Sequence, residues 1–192
     1  MGAIPEGRSD RGATLSDLES HLRARYERNG DLQDLEAAIA GSEEGVEATP
    51  QKHPDRLAGL GNLGNYLSRR YERLGNLQDL EASIARLEAA VRVIPDDHPS
   101  PAALLNDLGN CLSRRYERTK NLQNLEAAIA QSEEAVEAAR VDDPARAVVL
   151  CTLGNNLGSR YECSGNLQDL EAAIARQQWR HHHKMILTGE SG

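Results

Sequence analysis

Four groups of residues in this 192-residue chain have side chains of the types that catalysis, cofactor binding or metal binding use. Gly59, Gly61 and Gly64 fall in the order G-x-G-x-x-G, the string that lets a backbone wrap a dinucleotide pyrophosphate where a strand hands over to a helix. Here the glycines lie inside a helical pattern with no strand before them. Gly64 also returns as Gly109 and Gly154, so close helix packing accounts for it and no nucleotide is expected. His181, His182 and His183 carry imidazoles suited to a transition metal. Consecutive helical residues point in different directions, however, and three in a row do not close on one ion. Cys111, Cys151 and Cys163 have no histidine or asparagine recurring beside them to act as a base. The pairs Glu43-Glu44 and Glu133-Glu134 read as a solvated helix face. These residue types therefore predict no enzyme, no cofactor and no metal site.

The elements that carry these residues repeat. Shifting the chain by 45 positions aligns Tyr26, Tyr71, Tyr116 and Tyr161 in one column and Leu35, Leu80, Leu125 and Leu170 in another. A fixed period between about 20 and 50 residues is the signature of stacked supersecondary units that are individually too small to bury their own apolar face. Within one copy, Leu57, Leu60, Leu63, Leu67 and Tyr71 follow the i, i+3, i+4 spacing of an amphipathic helix A. Gly75 supplies a left-handed stop, as do Gly30 and Gly165, whereas Lys120 stands in that slot in the third copy. Asn76 then reads as the N-cap of helix B, with Asp79 favourably placed near the helix N-terminus; Asp31, Asn121 and Asn166 repeat the cap. Helix B carries Leu77, Leu80, Ile84, Leu87 and Val91 and ends near Pro95. The prediction is an all-α fold of four hairpins, at about 14–54, 55–99, 100–143 and 144–176. A segment at 1–13 is expected to be disordered, and a divergent helical extension and tail occupies 177–192.

Composition narrows the partners. Hydrophobic residues are 39% of the chain but aromatics only 3%, with no Phe, so the core must be built from Leu, Ala, Ile and Val. Thirty acidic against 22 basic residues give a net charge of -8, which disfavours nucleic acid and anionic membrane surfaces. No run of 18 apolar residues occurs, and residues 1–6 lack a basic-then-apolar leader pattern. Three cysteines without paired spacing fit a reducing compartment, and a cytoplasmic location is expected.

With these columns in place, the chain resembles a tetratricopeptide repeat array. The family's spacing is matched by Leu60, Leu63-Gly64 and Leu67 in helix A and by Ser83, Leu87, Ala90 and Pro95 in helix B, with leucines where the family has aromatics. The third and fourth copies keep Leu105, Leu108-Gly109 and Leu112, and Leu150, Leu153-Gly154 and Leu157; the first has Glu19 in place of the glycine. The period exceeds the usual 34. That is expected from a longer A-to-B hairpin and a longer loop between copies, as in the branch typified by kinesin light chain and in tetratricopeptide tails of fungal signalling proteins. The resemblance covers residues 14–176 and implies a right-handed α-solenoid that binds protein segments without catalysis.

It further implies that helices A line a concave groove. Formal charge sums to +5 over helices A and to -9 over helices B, so the expected groove is basic. The positions in and one turn beyond the Leu-Gly motif are Asn65, Ser68 and Arg69 in the second copy, Asn110, Ser113 and Arg114 in the third, and Asn155 in the fourth. Amides spaced one copy apart suit an extended backbone, and arginines suit its acidic side chains. The lysines of the family's carboxylate clamp are missing, their places holding Gly61, Asn106 and Cys151. Arg70 and Arg115 are expected to pack beside Tyr71 and Tyr116 and pair with glutamates. Two alternatives stand beside the groove: end-to-end self-association through exposed repeat ends, and a regulatory tail of a larger signalling protein. Trp179 reads either as a cap for the last hairpin or as part of a remnant without a role.

Overall fold

A computed structural model describes residues 21–22, 24–51, 53–95, 98, 101–140 and 143–176, and every regular element among them is helical. In chain order these are residues 24–29 (α1), α2 (Leu32–Ala48), α3 (Pro54–Leu74), α4 (Leu77–Val91), α5 (Pro101–Thr119), α6 (Leu122–Ala138), α7 (Pro144–Ser164) and residues 167–176 (α8). They group into two compact units divided between Val93 and Ile94. The segments 1–13 and 177–192, including Trp179 and the three consecutive histidines, lie outside the described residues.

The hairpin turns follow from two residues each. Gly30, Gly75 and Gly165 adopt φ of 67°, 70° and 69°, and the N–H of each donates to a tyrosine carbonyl four residues back, at 2.7 Å. The next residue caps the following helix: Asp31, Asn76, Asn121 and Asn166 accept from the backbone N–H two residues on, at 3.0 to 3.1 Å. Such a cap is worth about 1 kcal/mol. Lys120 breaks the glycine rule in sequence but not in shape, taking φ 55° and donating to Tyr116 at the same 2.7 Å. A lysine in the left-handed region costs about 1 kcal/mol. A cation–π contact, with Nζ 5.5 Å from the Tyr116 ring centre, returns about half of that. Lys120→Gly is therefore expected to raise stability by about 0.5 kcal/mol, read as a higher urea midpoint at unchanged slope.

The length of the sequence period lies in the helices. The connection from α3 to α4 is only Gly75-Asn76, while α3 and α7 run 21 residues and α2 and α6 run 17. The hairpin is long through its helices, which a two-residue link joins.

In the first unit α3 packs on both α2 and α4. Leu35, Leu63, Leu80 and Leu87 are fully buried there. Each contributes about 1.5–3 kcal/mol through loss of exposed apolar surface. In the second unit Tyr116, Leu125, Ile129, Leu153, Leu157 and Ala173 form one cluster joining α5, α6, α7 and α8. Ser83 Oγ donates to the Gly64 carbonyl at 2.7 Å, and a methyl group on Gly109 would sit 3.0 Å from Ser132 Oγ. The Leu-Gly columns are therefore contact points between helices A and B.

Arginine–aspartate clasps tie the first, second and fourth hairpins, the third having Asn124 in the aspartate column. Arg70 grips Asp79 through Nε and Nη2 at 3.0 and 2.6 Å, and Arg160 grips Asp169 in the same way at 3.0 and 2.7 Å. Arg25 lies 3.2 Å from Asp34. Asp79 lies in the first turn of α4 as expected and is also a buried ion-pair partner. The expected pairing of Arg70 with glutamates is corrected: it pairs with this aspartate because only two residues separate α3 from α4. Arg56 and Arg146, for which no role was expected, also act between helices. Arg56 donates to the Val46 and Thr49 carbonyls, and Arg146 to Val136 at 2.8 Å and Ala139 at 2.5 Å, closing the free C-termini of α2 and α6.

Candidate functional site

In the second unit, α5 buries Leu105, Leu108, Leu112 and Tyr116, and α7 buries Leu150, Leu153 and Leu157. Helical geometry then turns the intervening polar residues toward a common opening. Asn110, Ser113, Arg114 and Glu117 of α5 and Thr152, Asn155 and Asn156 of α7 line an open cleft of about 190 Å³. Four residues singled out from the sequence, Asn110, Ser113, Arg114 and Asn155, thus share one depression. Asn155 is exposed, while Asn110, Ser113 and Arg114 are half-buried.

The floor of the cleft is fixed from below. Asn156 is 2% exposed; its Nδ2 donates to Ser132 Oγ at 3.1 Å, and its Oδ1 accepts from Ser113 Oγ. Asn156 thereby links α5, α6 and α7, and Ser113 is committed to that link. The Thr152 hydroxyl lies 3.3 Å from the Val148 carbonyl and 3.4 Å from Asn110 Oδ1, sharing one proton between them. Sequence reasoning missed Asn156 because its column holds His21, Tyr66 and Cys111 in the other copies and so shows no constant chemistry. The signal that could have found it is the change from Tyr66 and Cys111 in the two preceding copies to an amide.

In the first unit, Asn65 is half-buried, Ser68 is buried and Arg69 is exposed. Ser68 sits in a stretch of α3 that is covered on both sides, with Leu63, Gly64, Tyr66 and Leu67 also buried, so its hydroxyl is turned inward. Arg69 lies 3.7 Å from Glu27, a solvent-exposed pair whose attraction water largely screens.

A larger cleft of about 370 Å³ lies at the hairpin ends of the second unit, lined by Leu122, Glu126, Arg160, Cys163, Ser164, Asn166 and Asp169. Its guanidinium is already spent: Arg160 forks Asp169 and also reaches Glu126 at 2.8 Å. The hydrogen bond to Asp169 raises the Arg160 pKa above its ordinary value against the opposing effect of burial. Beside it, Tyr116 Oη lies 2.7 Å from Cys163 Sγ, and that hydrogen bond, with burial, raises the phenol's pKa. An anion would have to displace two carboxylates here, so the smaller cleft is the better candidate. Among the described residues no group of His, Cys, Asp and Glu could hold a metal ion, and no helix is long and apolar enough to cross a membrane.

No family model and no curated protein matches the sequence. Solved structures do match its fold. One is a Podosopora anserina kinesin light chain candidate with nearly identical TPR-like repeats, 20% identical, with a TM-score of 0.57 over 85% of this chain and 74% of that one. A single-substitution variant of that same protein gives 20% identity and a TM-score of 0.58 over 88% and 76%. The protein of the DHF58 filament gives 17% and 0.52 over 96% and 97%. With its helical hairpins, glycine-type turns and Leu-Gly helix contacts, the chain has the fold of a TPR-like helical-repeat array resembling that of kinesin light chain.

Proposed function

We propose that the chain is a non-catalytic scaffold that holds an extended protein segment of acidic character against the helix-A residues, with Asn110, Arg114 and Asn155 as the contacts in the second unit. One observation carries the reading: these residues, together with Ser113, line a single open cleft whose floor is locked by Asn156. Carboxamides offer a donor and an acceptor on one group, which suits a peptide backbone, and a guanidinium suits a carboxylate bidentately. Arg69 and Asn65 are the corresponding contacts in the first unit. A cytoplasmic location fits an odd number of cysteines without paired spacing in the sequence.

The test is a peptide-display selection run on the parent and on Arg114→Glu, with circular dichroism confirming equal helicity. The parent is expected to enrich acidic peptides, and the variant to lose at least about tenfold in Kd, the size of one charge-assisted hydrogen bond. No enrichment, or the same peptides from both proteins, overturns the reading.

A further inference from the structure

One column of the sequence repeat behaves differently at the last hairpin. Ile39, Ile84 and Ile129 are 4%, 3% and 3% exposed, whereas Ile174 in the same column is 45% exposed. Leu170 follows the trend: its counterparts Leu35, Leu80 and Leu125 are fully buried, and it is only half-buried. The structure shows what this face accepts, because Ile129 and Leu125 are covered by Leu153 and Leu157 of α7 and by Ala173 of α8. The natural occupant of the outward face of α8 is therefore a helical hairpin of this same repeat.

The first copy carries the complement. Leu22 occupies the column of Leu67, Leu112 and Leu157, all three buried, yet Leu22 is half-buried. By sequence, Leu18 and Leu22 are the first copy's equivalents of Leu153 and Leu157.

We propose that the outward face of α8, formed by Leu170 and Ile174, docks the first hairpin of a second copy of this chain, head to tail. The two faces differ, so the contact is heterologous and does not close at a dimer. Ile174 is not among the cleft residues, so this interface and the peptide reading stand or fall separately.

Sedimentation velocity and light scattering of the full chain across concentration test it, beside Ile174→Glu and the milder Ile174→Ala, all checked for equal helicity. The parent's mean mass is expected to climb past the dimer without a plateau. Ile174→Ala should weaken association and Ile174→Glu weaken it at least tenfold. Ile174→Glu keeps its first hairpin intact, so mixing it with the parent should shorten the parent's assemblies. A parent that stays monomeric, a plateau at dimer, or unchanged association by Ile174→Glu overturns the proposal. So does a monomer that begins to associate once residues 177–192 are deleted, which would assign the face to the chain's own tail.

Discussion

Arg70→Met is expected to cost about 3 kcal/mol of unfolding free energy, more than any single apolar truncation at the surface of the same hairpin. Removing the guanidinium strands the Asp79 carboxylate, which is buried where α4 begins, so solvent cannot replace the two hydrogen bonds at 3.0 and 2.6 Å. The reverse change is gentler. Arg70 keeps about a quarter of its side-chain surface in solvent, so Asp79→Ala leaves a cation that water partly solvates, at a cost of about 2 kcal/mol. Asp79→Asn retains an acceptor for Arg70 Nε and should cost about 1 kcal/mol. The order methionine, alanine, asparagine is the diagnostic, together with near-recovery in Arg70→Met/Asp79→Leu, where no charge is left buried. Urea midpoints at constant slope measure all four. The hydrogen bond to Asp79 holds the arginine's pKa above its ordinary value, so its half of the pair is present at all pH values below that range. Equal losses for all three single variants would show that the clasp contributes packing and not charge pairing.

This clasp also marks where the sequence stopped being legible. Period and type of element were readable because leucine columns and cap residues act locally: Asn76 and Gly75 need only their neighbours to do their work. The partner of Arg70 was misassigned to glutamates because the choice depends on how tightly the two helices turn back on one another. Asp79 looked like an ordinary first-turn acid, and only a two-residue link brings it under the guanidinium. Arg56 and Arg146 were invisible for the same reason, since their acceptors are carbonyls ten and seven residues back at the end of another helix. At the candidate site, spacing placed Asn110, Arg114 and Asn155 on a common side, because that follows from helical periodicity alone. It could not foresee that Ser68 turns inward while Ser113 is spent on Asn156, which depends on what covers each helix.

Glycine offers the sharper contrast, because the same substitution is expected to change sign with packing. A methyl group on Gly64 would lie 2.7 Å from Leu87 Cγ and 2.9 Å from its Cδ2, and Leu87 is fully buried with nowhere to retreat. Overpacking of this kind costs about 1–3 kcal/mol, and alanine's better helix propensity returns just under about 1 kcal/mol. Gly64→Ala should therefore destabilise by about 1 kcal/mol, and Gly64→Val, with two further methyl groups and a stiffer side chain, by about 3 kcal/mol. Gly158, in the interior of α7, has nothing within 4 Å of the added methyl group, so Gly158→Ala gains propensity at no packing cost and should stabilise by about 0.5–1 kcal/mol. Chemical denaturation of the three variants decides the matter. If Gly64→Ala stabilised as much as Gly158→Ala, close helix approach would not be the reason for glycine in the Leu-Gly column, and the string Gly59, Gly61, Gly64 would again need an explanation outside packing. The predicted opposite signs instead tie Gly64 to the contact between α3 and α4, where a glycine lets two helices of a leucine-built repeat meet without an aromatic residue between them, while Gly59 approaches Val46 of α2.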